Sequence, residues 1–224
     1  MTPYINIHTH NEYQETESVL FVKNILLHQV IFENIDASKY YSAGWHPWFV
    51  KNNNFERIAN VLHQYTAQKC VIAIGECGID RAIDVPIQQQ VEIFRLHIRC
   101  ATKLGKPLII HSVRAYSDIL QVLNEEAFGG TLIIHDYRGN WQQVEQFSKY
   151  ETYFSFGKSI FQGIKIQNLL KDLSSGRILF ETDESDISIE KIYLRAAEIK
   201  KTPVDELKEQ VMRNFNRIFG NELD

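Results

Sequence analysis

The sequence predicts an α/β fold, a single (β/α)8 TIM barrel, on three observations. Short apolar, β-branched runs alternate with longer segments of helical period, which is the pattern of repeated βα units. The runs number eight, and they are continuous rather than alternating, as strands of a parallel sheet covered on both faces should be. Metal-seeking side chains stand at the downstream ends of five of them, and in such a barrel the C-terminal strand ends converge on the face where active sites are built.

The elements follow in order. Tyr4 to His8 is the first strand, and Leu26 to Phe32 is assigned as the second. Tyr40 to Gly44 is the third; beyond it Lys51-Asn52-Asn53-Asn54 forms a polar loop into a helix over Phe55 to Thr66. Cys70 to Gly75 is the fourth strand. It precedes the best helical segment, Pro86 to Leu104, where Pro86 suits a first turn and Gly105 a C-terminal stop. Strands at Pro107 to His111, Thr131 to His135, Thr152 to Phe156 and Arg177 to Thr182 then alternate with helices at Ala115 to Glu126, Trp141 to Tyr150 and Ile164 to Leu173. Helices over Ser188 to Lys200 and Val204 to Phe219 complete the chain. Connections between the second, third and fourth strands are the least regular, and a helix after the second strand is hardly visible.

Composition sets the bounds. At 224 residues and 44% hydrophobic, the chain can bury one large core, and residues 1–224 are read as one domain. A formal charge of −4 gives no basic footprint, so tight nonspecific binding to polyanions is not expected from net charge. Cys70, Cys77 and Cys100 are odd in number, lack a CxxC spacing and fall in or beside strands and helices; they read as reduced thiols of a cytoplasmic protein. No run approaches the roughly 18 apolar residues of a membrane span, and the N-terminus has no basic-then-apolar leader. No membrane association is expected.

Six side chains carry the chemistry: His8, His10, Glu76, His111, His135 and Asp183. His8-Thr9-His10 puts two imidazoles on one side of an extended segment, because strand side chains repeat every two residues. Glu76 follows the apolar run Val71-Ile72-Ala73-Ile74-Gly75, where a carboxylate is costly unless paired or bound to a cation. Each has an ordinary alternative: a salt bridge for Glu76, a satisfied core histidine for His111 or His135, a helix cap for Asp183. Five strand ends carrying the right donor types make joint coincidence a poor explanation. Oxygen and nitrogen donors without thiolate suit one or two divalent cations, Mg²⁺, Mn²⁺ or Zn²⁺, and a carboxylate can bridge two of them about 3.5–4 Å apart. A two-metal hydrolase follows, with Asp183 as ligand and proton acceptor together.

These residues sit within a longer set of motifs: His8-Thr9-His10, Gly44-Trp45-His46-Pro47, Gly75-Glu76-Cys77-Gly78-Ile79-Asp80, Gln90 with Phe94, Lys106-Pro107-Leu108-Ile109-Ile110-His111, Ile134-His135 with Gly139, Phe154-Ser155-Phe156-Gly157, Glu181-Thr182-Asp183, and Asn214-Phe215-Asn216-Arg217-Ile218-Phe219. In this collinear order the chain resembles the TatD-related metal-dependent hydrolases, a branch of the amidohydrolase-like TIM barrels. The resemblance implies that His8, His10, Glu76 and Asp183 hold one cation and Glu76, His111 and His135 a second, with Glu76 bridging. It implies DNA as substrate and deoxyribonuclease activity, with 3′ to 5′ exonuclease action on single strands. The chain departs from the family pattern in three places. Ser185 replaces a proline and the segment after Asp183 is short; the arginine of His111-Ser112-Val113-Arg114-Ala115 is displaced by one position; and Asp136-Tyr137-Arg138 stands before Gly139.

Flanking residues have split readings. His46 is placed with the substrate-binding residues, at the site mouth, against a structural role in its loop. Arg114, Arg138 and Lys158 are the phosphate candidates, against ordinary solvated charges. Asp80 either orients a ligand histidine or caps a turn. Trp45, Trp48 and Tyr137 either stack bases or pack the rim, and Asn214 ties the last helix to the barrel. Two other functions stay open beside the nuclease: hydrolysis of a small phosphoester, ester or amide, because loops on this barrel set substrate, and a catalytically weak metal- or nucleic-acid-binding protein.

Overall fold

Eight strands, all parallel and paired in chain order, make the wall of a barrel. The structure, a computed structural model, describes residues 2–11, 18–29, 35–51 and 54–220. The strands are β1 Tyr4–Thr9, β2 Val19–Leu26, β3 Tyr40–Gly44, β4 Val71–Asp80, β5 Leu108–Val113, β6 Thr131–Ile134, β7 Glu151–Phe156 and β8 Ile178–Phe180. β4 is buried at every position, as expected of a parallel strand filled from inside and covered by helices outside.

Seven α-helices lie among the described residues: α1 Phe55–Thr66, α2 Ile87–Leu104, α3 Tyr116–Glu125, α4 Trp141–Phe147, α5 Ile164–Asp172, α6 Ile189–Lys200 and α7 Val204–Phe219. Each predicted helix is present within a few residues of its expected bounds. Local chemistry explains the ends. Asn54 caps α1 by accepting from the Glu56 and Arg57 N–H groups, Asn140 and Gln143 form a reciprocal capping box on α4, and Gly105 takes the left-handed conformation that stops α2 (φ 69°). In α7 the buried residues Leu207, Val211, Phe215 and Phe219 fall every fourth position on the face against the barrel. Burying each contributes roughly 1.5–3 kcal/mol. No helix is described between β1 and β2 or between β2 and β3, and no described helix is long and apolar enough to cross a membrane.

The second strand differs from the expectation. It occupies Val19–Leu26, not Leu26 to Phe32, and pairs with β1 from Tyr4↔Val19 and with β3 through Leu26↔Gly44. Residues 30–32 of the expected range lie outside the described residues. Lys23 and Asn24 interrupt the apolar run and hide the strand in the sequence. Asn24 is nevertheless buried, its Nδ2 donating to Ser42 Oγ and to Gly75 O, both at 2.9 Å, which satisfies the donor end of its amide.

Two one-residue register shifts prepare the site. In β1 the pairing passes from Asn6↔Phe21 to Thr9↔Lys23, and in β4 from Ile74↔Leu108 to Cys77↔Ile110. The extra residues fall around His8 and Glu76, and bulges of this kind re-aim side chains beside active sites. The fourth strand therefore runs on through Glu76 to Asp80 instead of ending at Gly75. Gly78 makes that possible: at φ 146° its β5 neighbour is so close that a Cβ would lie 2.0 Å from His111 O. The barrel closes where β1 meets the chain beyond β8. Asp183 N–H donates to His8 O (3.1 Å) and His10 N–H to Asp183 O (3.2 Å), while Thr182 N–H and Asn6 Nδ2 exchange bonds across the same seam (3.0 and 2.8 Å).

Candidate metal centre

The six predicted donors converge at the C-terminal mouth of the barrel around Glu76, whose side chain is 4% exposed. Its two carboxylate oxygens face different neighbours. Oε2 lies 3.3 Å from His8 Nε2 and 3.2 Å from His10 Nε2, and Asp183 Oδ1 lies 3.8 and 3.6 Å from those same nitrogens. Oε1 lies 2.7 Å from His111 Nδ1, 2.9 Å from His135 Nε2 and 3.3 Å from His46 Nε2. His8 has both ring nitrogens buried and without a hydrogen-bond partner among the described residues. A buried imidazole left in that condition costs stability unless something else binds it. Donor atoms of His8, His10 and Glu76, of His8, His135 and Asp183, and of His46, Glu76 and His111 lie within 4.8 Å of one another in each set. The residues thus fit divalent cations: nitrogen and carboxylate donors, converging, with an orphaned imidazole among them.

Acids behind the imidazoles fix how they point. Asp80 Oδ2 is 3.2 Å from His111 Nε2 and accepts the Trp48 indole N–H at 2.7 Å, which leaves His111 Nδ1 facing Glu76. Glu181 Oε1 holds His135 Nδ1 at 3.0 Å and accepts the Asp136 N–H at 2.9 Å. Carboxylates in this position set the tautomer and raise the basicity of a ligating histidine. The sequence reading left Asp80 between two roles and gave Glu181 none; its only signal was its place two residues before Asp183.

The charges settle against one another. Burial alone would raise the Glu76 carboxyl, but His135, His10 and His111 hold it well below the ordinary range. Burial lowers His135, yet Glu76 and Glu181 lift it well above an ordinary imidazole, and His111 and His10 are raised against burial in the same way. The field that draws protons onto these rings is also one that attracts a divalent cation. Asp183 is raised by burial, helped by Glu181 and Glu76 against the pull of His135 and His8. Asp80 is held down at about 2: bonds from His111, Trp48 and the Ala82 N–H outweigh its burial.

His46 stands inside this cluster rather than at its mouth. It is 6% exposed, and its Nε2 is 3.3 Å from His111 Nδ1 as well as from Glu76. The cavity above the cluster measures about 220 Å³, with Leu26, Gln29, Trp48, Phe49 and Glu184 on its walls beside the donors. Arg114, Arg138 and Lys158 are not on those walls. Arg138 is folded back onto Asp136 Oδ2 (2.5 and 2.8 Å), Arg114 is exposed just past β5 in the left-handed region (φ 53°), and Lys158 opens a 3₁₀ turn after β7. Of the three aromatic candidates, Tyr137 and Trp45 are packed away at 0% and 2% exposure, and Trp48 is open at 53%. Asn214 ties α7 to the barrel through Nδ2 bonds to Ser175 O and Ile178 O, both 2.8 Å.

The sequence profile of the family described as TatD related DNase matches residues 19–220. The chain belongs to that family. It is a TatD-family metal-dependent hydrolase. Among its relatives, the uncharacterized metal-dependent hydrolase YabD of Bacillus subtilis (strain 168) is 29% identical over 199 residues, 80% of this chain and 77% of that protein. The 3′-5′ ssDNA/RNA exonuclease TatD of Pectobacterium atrosepticum is 26% identical over 148 residues, 63% of this chain and 56% of that one. The crystal structure of the TatD homologue YjjV of Escherichia coli K12 shares the fold, with a TM-score of 0.81 at 19% identity over 97% of this chain and 98% of the other. The TIM barrel read from the strand pattern is therefore also the fold of a solved TatD relative.

Proposed function

We propose that residues 1–224 act as one hydrolase unit that cleaves phosphodiester bonds in single-stranded DNA from the 3′ end, using two divalent cations. The observation that carries this reading is the division of labour at Glu76. One oxygen faces His8 and His10 beside Asp183, and the other faces His111 and His135. That is the arrangement a carboxylate needs to bridge two ions. His8, His10, Glu76 and Asp183 would hold one cation and Glu76, His111 and His135 the other, with His46 beside the second. The imidazole-rich set favours Zn²⁺ or Mn²⁺ over Mg²⁺.

Cations held there would supply Lewis acidity, activating a water molecule and neutralising charge that develops on the attacked phosphoryl oxygens. The chain's own residues do the rest. Asp183 is less enclosed than Glu76, Asp80 and Glu181, at 27% side-chain exposure, and its raised affinity for protons suits it to take one from the attacking water. Its backbone bonds to His8 and His10 keep it in register with the donors. Asp80 and Glu181 hold His111 and His135 in the ligating tautomers. Arg114 and Lys158, on the loops after β5 and β7, are the cations available to phosphates farther along a strand, since Asp136 holds Arg138. The three cysteines form no disulfide, which supports a reducing, cytoplasmic setting.

The test is digestion of 3′-labelled and 5′-labelled single-stranded DNA with Mn²⁺, Mg²⁺ or Zn²⁺, beside an EDTA control and Asp183→Asn. Stepwise, metal-dependent shortening from the 3′ end that the variant loses is the expected result; a metal-loaded protein that leaves both strands intact would refute it. A second reading, hydrolysis of a small phosphoester, ester or amide, is favoured by the 220 Å³ cavity and the short segment after Asp183. A panel of chromogenic esters under the same conditions separates the two.

A further inference from the structure

A second hollow, about 380 Å³, adjoins the metal cavity and is lined by His28, Trp45, Trp48, Phe49, Lys51 and Arg57. Trp48 and Phe49 stand on the walls of both, so the two spaces share an aromatic partition. These rings are unusually open, at 53% and 38% exposure, yet they are held in place from behind. His28 stacks on Phe49 with centroids 3.5 Å apart and planes 13° from parallel, and Trp45 donates its indole N–H to Phe49 O at 2.9 Å. Neither ring nitrogen of His28 has a hydrogen-bond partner among the described residues. The six lining residues include two cations and no carboxylate, in a chain whose net charge is −4. Arg57 is exposed in the first turn of α1, where the Asn54 cap fixes the backbone. Lys51 is paired with Asp84 at 3.0 Å in solvent, an arrangement that adds little stability.

We infer that this hollow is a nucleotide subsite: it takes the nucleotide next to the scissile linkage, with its base against Trp48 and its phosphate beside Arg57. An open indole offers the sequence-tolerant stacking by which proteins hold single strands, and a guanidinium matches a phosphate in charge and shape. Continuity through Trp48 and Phe49 lets one strand occupy both spaces. The inference rests on the nuclease reading above and names where its substrate extends, so the enzyme should prefer an oligonucleotide over a small phosphodiester.

The experiment compares wild type, Arg57→Gln and Trp48→Leu on hexathymidylate and on bis(4-nitrophenyl) phosphate, which lacks a neighbouring nucleotide. Trp48 also bonds Asp80, so Arg57→Gln is the cleaner variant and Trp48→Leu the supporting one. Arg57→Gln should lower the ratio of kcat/KM for hexathymidylate to that for the diester about fivefold to tenfold. In EDTA, where nothing is cut, anisotropy of fluorescein-labelled hexathymidylate should show about tenfold weaker binding to Trp48→Leu, and for Arg57→Gln a log–log salt slope shallower by about 0.7. If the variants cut the oligonucleotide with the wild-type ratio and bind it equally, the subsite is overturned while the nuclease reading stands. If wild-type protein hydrolyses the diester but neither binds nor cuts hexathymidylate, both fall.

Discussion

Glu181 and His135 form a buried pair in which Oε1 of the acid lies 3.0 Å from Nδ1 of the ring, turning Nε2 toward Glu76 at 2.9 Å. Glu181 touches neither substrate space and is fully buried, so it works by positioning His135. Glu181→Gln keeps the shape and removes the charge. Metal affinity, read by competition with a fluorescent chelator, should fall about 10–100-fold, and saturating metal should restore much of the activity. Unaltered affinity would mean that the pair is structural only.

The backbone role of Asp183 and the proton-accepting role proposed for its side chain can be separated. Its backbone bonds His8 and His10 in the left-handed region, φ 52°, which Asn tolerates better than most residues. Asp183→Asn should therefore lower kcat about 10²–10⁴-fold while the thermal midpoint of the metal-free protein shifts by only a few degrees. Asp183→Ala adds left-handed strain of about 1–2 kcal/mol and should melt lower than the Asn variant. A large, equal loss of stability in both would identify the side chain as a structural cap.

Much of this site could be read from the sequence because its donors end apolar runs, and parallel strands announce themselves by such runs. The rest depended on geometry that no run reveals. The sequence places β2 too late because Lys23 and Asn24 break its apolar run, and the bonds that the buried Asn24 Nδ2 donates go to Ser42 and Gly75 on other strands. His46 looked peripheral because it follows Trp45 in a loop, yet the Pro47–Phe49 turn brings it against Glu76. Trp48 could not be told from Trp45 by type or position; only burial separates the ring that faces solvent from the one packed under it. Arg138 is a loop cation by sequence, and only the fold shows that its near neighbour Asp136 holds it.

Glu76 faces both halves of the donor set, so its loss should not be partial. Glu76→Ala leaves the imidazoles of His8, His10, His111 and His135 without their shared counter-charge. Elemental analysis after equilibration with Zn²⁺ or Mn²⁺ should show bound metal and hydrolysis disappearing together. Retention of two equivalents by the variant would contradict bridging.

His97 supplies a pH dependence that is independent of the metal ligands. It is fully buried on α2, where Nε2 accepts the Trp45 N–H at 2.9 Å and Nδ1 lies 2.7 Å from Ile93 O. That fixes the neutral ring and ties α2 to the loop that carries His46. Burial pushes its pKa down to about 4, against the Ile93 bond that favours the charged form. Unfolded, the same ring titrates near 6.5, so between about pH 6.5 and 4 the unfolded chain binds a proton that the folded chain refuses. The stability contributed by the neutral ring is present above pH 6.5 and drains away as pH falls toward 4, by about 2–3 kcal/mol for a shift of this size. His97→Gln keeps an acceptor for Trp45 and does not titrate. Urea denaturation in EDTA at pH 7.5 and 4.5 should show the variant losing less stability on acidification than wild type, by an amount of that order. Since the metal-site histidines titrate alike in both proteins, parallel losses would show that His97 is not the group that acid attacks.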